Sequence, residues 1–144
     1  KGLAMATFNK TNQFTEDLGK GVHVFGTHQL KIALTNTAPV AGNATYSALT
    51  SPLGTTNLSG ATPFNVTTTS YTQSSGTASL VLVDLTLTAS GGSVGPFRYV
   101  VLYNDTPTSP ADPIIGWYDY GSSITLADTE TFLTDFASTT ITIA

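Results

Sequence analysis

The chain has 144 residues, a net charge of −4, no cysteine and only 10% charged residues, against about 25% in an average soluble domain. This is the length of one domain that buries a core unaided, and the lack of cysteine excludes a disulfide framework, a thiolate metal site and a thiol nucleophile. The acidic balance argues against a phosphate backbone as ligand, and no apolar run approaches the roughly 18 residues of a membrane span, so neither nucleic acid nor membrane is expected as a partner.

Thr supplies 27 residues and Ser 13, while Lys and Glu together supply 6. A hydroxyl-coated surface stays wet but costs little to desolvate against a neighbour, unlike one of long charged side chains. Four of the five basic residues lie in the first 31 positions and seven of the nine acids in the second half.

Met5-Ala6-Thr7 reads as a natural start, which would make Lys1–Ala4 a cloning remnant, with a natural extension as the alternative, and Leu3-Ala4-Met5 is too short for the apolar core of a signal peptide. Residues 1–21 read as an arm and a short helix. The helix is expected over Thr11–Gly21, with Thr11 or Asn12 as cap, Phe14 and Leu18 on one face and Glu16 paired with Lys20. Two turns hold only if Phe14 and Leu18 dock on a sheet.

Residues 22–144 read as the body. Val22–Phe25 and Leu30–Thr35 are expected as strands joined around Gly26-Thr27, the second half-buried because Leu30, Ile32 and Leu34 alternate with Lys31, Ala33 and Thr35. Residues 36–60 form a long irregular connection with a turn of helix at Tyr46–Leu49; so long a loop in a compact domain is usually functional or ordered by a partner. Phe64–Thr69 reads as a Thr-rich strand near an edge, and Ser74-Ser75-Gly76 as a turn.

Ala78–Ala89 is the longest strand signal, with Val81, Val83, Leu85, Leu87 and Ala89 on one face. Gly91-Gly92-Ser93 turns into Phe97–Asn104, where Phe97, Tyr99, Val101 and Tyr103 share a face and Val100 and Leu102 the other, as in a strand covered on both sides. Asp105–Pro113 returns the chain into Ile114–Tyr120, and Gly121 starts a further turn before Ile124–Ala127 and Thr131–Phe136. A last strand over Thr139–Ala144 points Ile141 and Ile143 inward. Strands with turns every 8 to 12 residues predict a mainly β, single-domain antiparallel β-sandwich, jelly-roll or Ig-like, with one short N-terminal helix. Its expected core comprises Val83, Leu85, Leu87, Phe97, Arg98, Tyr99, Val101, Tyr103, Trp117, Phe132 and Phe136.

The residues with chemistry are sparse. His23 and His28 lie five apart across a turn without a metalloenzyme spacing, which favours a structural role. No Gly-x-Ser-x-Gly elbow singles out a serine. Asp105, Asp112, Asp119, Asp128 and Glu130 offer oxygen ligands for Ca²⁺ but lack the spacing of a calcium loop, and Asp105 and Asp112, in Asp-Thr-Pro and Ala-Asp-Pro, are better explained as turn formers. Arg98, the only arginine, is expected to pair with Asp119 or Asp135. Trp117, Tyr118 and Tyr120 suggest a sugar-stacking platform, though neighbours on a strand point to opposite faces and core packing suits them better. No catalytic residue, metal or cofactor is expected.

Several motifs carry a resemblance over nearly the whole chain: Phe8-Asn9-Lys10 with Gly21-Val22-His23, Leu34-Thr35-Asn36-Thr37-Ala38-Pro39, the run Asp84–Tyr99, Leu102-Tyr103-Asn104-Asp105-Thr106 and the run Asp119–Asp128. They resemble a family of small proteins encoded in the virion-structure regions of tailed bacteriophages and prophages. The resemblance implies a virion component made in the bacterial cytoplasm, acting through contacts rather than catalysis. Head decoration is the favoured role, ahead of a tail or fibre component, with a glycan-binding module as the rival from another class. The implied partners are phage capsid or tail proteins and further copies of the chain, a trimer being favoured. The expected contact residues are Phe8, Lys10, Phe14 and Lys20 in the N-terminal segment and Tyr46, Leu49 and Leu53 in the loop.

Overall fold

The structure, a computed structural model, describes residues 6–144; the expectations about Met5 and Lys1–Ala4 lie outside them. In chain order the elements are β1 (Phe8–Lys10), α1 (Asn12–Gly19), β2 (Leu30–Thr35), a 3-10 turn (Tyr46–Ala48), β3 (Asn65–Val66), β4 (Thr68–Ser74), β5 (Thr77–Leu82), β6 (Leu85–Thr88), β7 (Val94–Asn104), β8 (Ile114–Leu126), β9 (Thr131–Thr134) and β10 (Ile141–Ile143). The protein is mainly β, with every strand pair antiparallel, in an arrangement consistent with a β-sandwich.

One layer is a five-stranded sheet in the order β1-β8-β7-β2-β3. Against it lie β10-β5-β4 and β6-β9. Since β5 runs into β6, and β9 and β10 return alongside them, these small sheets make one bent ribbon. The main core fills the space between the layers: Leu30, Ile32, Leu34, Phe97, Val100 and Leu102 from the large sheet, and Leu80, Leu82, Leu87 and Phe132 from the ribbon. A second, smaller cluster of Ala33, Val101, Tyr103 and Ile114 sits on the outer face of the large sheet, with Tyr46, Leu49 and Trp117 packed on it. Strand β2 is therefore covered on both faces, not half-buried as its alternation predicts.

The helix is shorter than expected. Thr11 makes no side-chain cap; its hydroxyl donates instead to the carbonyls of Ile114 (2.9 Å) and Ile115 (3.3 Å), tying the helix start to β8. Phe14 is buried and Glu16 pairs with Lys20, as expected. Val22–Phe25 is not a strand. Val22 N–H bonds the Asp17 carbonyl at the helix exit, and the Val24 carbonyl accepts from Thr27 and His28, so the segment is spent on a helix end and a tight turn.

The long strand over Ala78–Ala89 breaks at Val83-Asp84, where the chain leaves β5 for β6. The break reverses the parity of burial: Leu80 and Leu82 are inward before it, Leu87 and Ala89 after it. Val83, expected in the core, is 49% exposed. Phe64–Thr69 likewise splits around Thr67, and its second part runs on to Ser74. Gly121 does not turn the chain. It lies inside β8 with φ +100°, its N–H on Asp119 Oδ1, and the strand continues to Leu126.

Register shifts around Phe97 in β7 also correct its expected faces. Phe97 joins the inner side with Val100 and Leu102, while Val101 and Tyr103 face outward. Arg98 and Tyr99 are half-buried beside the shift and belong to neither cluster; Leu85 and Trp117 are half-buried against the clusters. The remaining core expectations, Leu87, Phe97, Val101, Tyr103, Phe132 and Phe136, are buried.

Candidate functional site

Most of the residues expected to meet partners are used within the chain, and the helix start meets the loop directly, Asn12 N–H donating to the Ala41 carbonyl at 2.8 Å. Phe8 sits in edge strand β1, half-buried, its ring 5.0 Å from that of Tyr118. Phe14 is 1% exposed and cannot meet a partner while α1 is docked, so that expectation is corrected: the helix reaches its minimum stability by giving both apolar residues to the core. Lys10 and Lys20 are exposed; Lys10 Nζ donates to Thr15 Oγ1 at 3.0 Å.

The 36–60 loop is also ordered by its own chain. The Thr35 hydroxyl donates to the Thr50 carbonyl (2.7 Å), Leu53 N–H to the Leu34 carbonyl (2.8 Å), and Ile114 N–H to the Ala44 carbonyl (2.9 Å). Tyr46 packs on Tyr103 with ring centroids 5.0 Å apart, and Leu49 and Leu53 are half-buried against the two clusters. The loop acts as a lid over the outer face of the large sheet. Burial pushes the Tyr103 phenol up, with nearby Asp105 adding to the shift. An open groove of about 330 Å³ follows the loop past Lys31, Tyr46, Phe64, Asn65 and Tyr103.

His23 and His28 do converge, on an amide. Asn104, fully buried at the end of β7, places Nδ2 3.1 Å from Nδ1 of His23 and 2.9 Å from Nδ1 of His28. Its Oδ1 accepts from Thr106 N–H, so the atom facing the rings is the donating nitrogen. Each Nδ1 therefore accepts, and in His23 this puts the ring hydrogen on Nε2. His28 Nδ1 also accepts from Val24 N–H (3.2 Å). Burial pulls the His23 pKa down to about 4, with Asp17 opposing the shift and His28 adding to it. Nε2 of His23 and Oδ2 of Asp17 are buried without hydrogen-bond partners. This arrangement is a polar clasp joining the helix exit to β7. Among the described residues no three His, Cys, Asp or Glu side chains are grouped to hold a metal ion.

The acids act mainly on backbone N–H groups and cations. Asp128 accepts from Gly91, Glu130 from Ala127, Asp84 from Phe136, and Asp105 pairs with Lys31 at 3.0 Å. Of the two acids offered for Arg98, it is Asp119 that pairs, through Nε–Oδ1 (2.8 Å) and Nη2–Oδ2 (3.1 Å). That guanidinium holds the Asp119 carboxyl below the usual range. No aromatic platform forms. Tyr118 and Tyr120 turn to the core beside Phe136 and Phe132, while Trp117 lies on the opposite face.

What the surface does offer is β4. Among the described residues it forms the end of its sheet, seven residues without a charge, Thr-Thr-Ser-Tyr-Thr-Gln-Ser, five of them exposed. The Thr-rich run near an edge was legible in the sequence; its extension to Ser74 was not, because hydroxyl residues carry little hydrophobic periodicity. Among the described residues no helix is long and apolar enough to cross a membrane. Comparison with protein-family models, curated proteins and solved structures finds no match.

Proposed function

We propose that this chain is a bacteriophage virion structural protein, a head-decoration component made in the bacterial cytoplasm. It works by contact with phage capsid proteins and with its own copies, without catalysis. The jelly-roll or Ig-like form expected from the strand spacing is part of the same proposal. The resemblance of its motifs to phage virion proteins supports this reading. The observation in its favour is the open, uncharged edge strand β4 on a hydroxyl-coated body. Natural domains usually protect such edges with lysine, proline or a covering segment. An edge that lacks these is suited to being covered by a neighbour.

The test is to mix the purified protein with capsid shells that lack it, and separately with tails, from the phage or prophage whose structural region encodes it. Co-sedimentation with shells, and its detection by mass spectrometry in purified virions, is the expected result. Binding to tails alone would transfer the role to a tail component, and binding to neither would overturn the reading.

A further inference from the structure

We infer that two copies of this chain pair through β4, antiparallel about a twofold axis at Tyr71, so that the two ribbons become one continuous sheet. The inference rests on the reading above that copies of the chain meet, and it names the strand at which they do.

The ladder with β5 fixes which backbone groups are free. Ser75-Gly76 is a two-residue turn with φ of +51° and +82°, closing the pair Ser74↔Thr77. Hydrogen-bonded and non-hydrogen-bonded pairs then alternate back along the ladder. Ser74, Thr72 and Ser70 bond to β5, and the N–H and C=O of Gln73 and Tyr71 point outward. The register shift between Thr68 and Ser70 marks the end of the regular stretch.

The side chains are self-complementary about the centre. In an antiparallel pair centred on Tyr71, Tyr71 meets its own copy and Ser70 meets Thr72 of the other chain. Aromatic pairs and hydroxyl pairs are both favourable across strands. Tyr71 is opposite buried Leu80, and its ring lies 5.1 Å from Phe25, so it is anchored yet 37% exposed. Ser70 and Thr72 project from the opposite face. The chain's net charge of −4 opposes most self-contacts, but β4 contributes no charge to this one. An isologous contact closes as a dimer, in place of the trimer the resemblance leads one to expect.

The experiment is sedimentation-equilibrium mass of the isolated protein over a concentration series. A dimer is expected, with Thr72→Lys weakening it by up to about fivefold, since the register sets the two lysines as diagonal neighbours of like charge across the axis. A second variant fixes the register. The chain has no cysteine of its own, so a Ser70→Cys/Thr72→Cys protein should oxidise to a covalent dimer while Ser70→Cys alone should not. A monomer at every concentration, a trimer, or a dimer indifferent to Thr72→Lys would overturn the inference. These masses are read without capsids, so a dimer that ignores shells defeats only the virion reading, and a shell-binding monomer defeats only this one.

Discussion

Phe8 occupies the space that a side chain at Gly116 would need. A Cβ built on Gly116 would lie 2.5 Å from Phe8 Cζ and 2.4 Å from the Asn9 carbonyl oxygen. Strand β1 can therefore lie flat on β8 only because position 116 has no side chain. Gly116→Ala is expected to destabilise the fold by about 1–3 kcal/mol, as overpacking does, and to speed amide exchange at Phe8–Lys10 ahead of the rest. Denaturant midpoints and hydrogen exchange check this; an unchanged exchange rate in β1 would contradict it.

Thr11 holds the helix start by bonding β8 rather than by capping. Thr11→Val keeps the shape and removes the hydroxyl that serves two buried carbonyls, so a loss of about 1–2 kcal/mol is expected by urea unfolding. Thr11→Ser should retain most of the stability. A cap would give the opposite ranking for Asn, which suits caps well but does not fit the fully buried site.

The parity reversal at Val83-Asp84 makes neighbouring positions unequal. Leu82→Ala should cost about 2–5 kcal/mol, whereas Val83→Thr should stay within about 0.5 kcal/mol. Equal losses at both positions would mean that β5 runs on unbroken.

His23 predicts a pH dependence. Its folded-state pKa, about 4, lies below the ordinary value of 6.5, so the unfolded chain binds the proton more readily. The contribution is fully present above pH 6.5 and is lost as pH falls towards 4, to a total of about 3 kcal/mol. Protonation at Nδ1 would also set an N–H against the Asn104 amide hydrogens. Denaturant midpoints measured between pH 7 and 4 should slope accordingly, and His23→Phe, flanked by Phe14 and Phe25, should flatten that part of the curve.

The amino-acid order by itself determined the class of fold and most elements. Periodicity and turn residues are local signals, so Leu30–Thr35, the helix with buried Phe14, the helical turn at Tyr46 and the last strand with Ile141 inward were all legible. The choice of Asp119 or Asp135 for Arg98 was left open, because it depends on which strand lies beside β7. Other features follow from contacts remote in sequence: the reversal at Val83, the shift that turns Phe97 inward, the passage of β8 through Gly121, and the gathering of His23 and His28 on Asn104. Each is a residue whose local pattern is overruled by the need to align a strand or satisfy a buried polar group. Only the tertiary structure decided that, among the described residues, β1, α1 and the loop cover their own sheet and leave β4 open, since which edge is left uncovered is a property of the assembled layers and not of any stretch of chain.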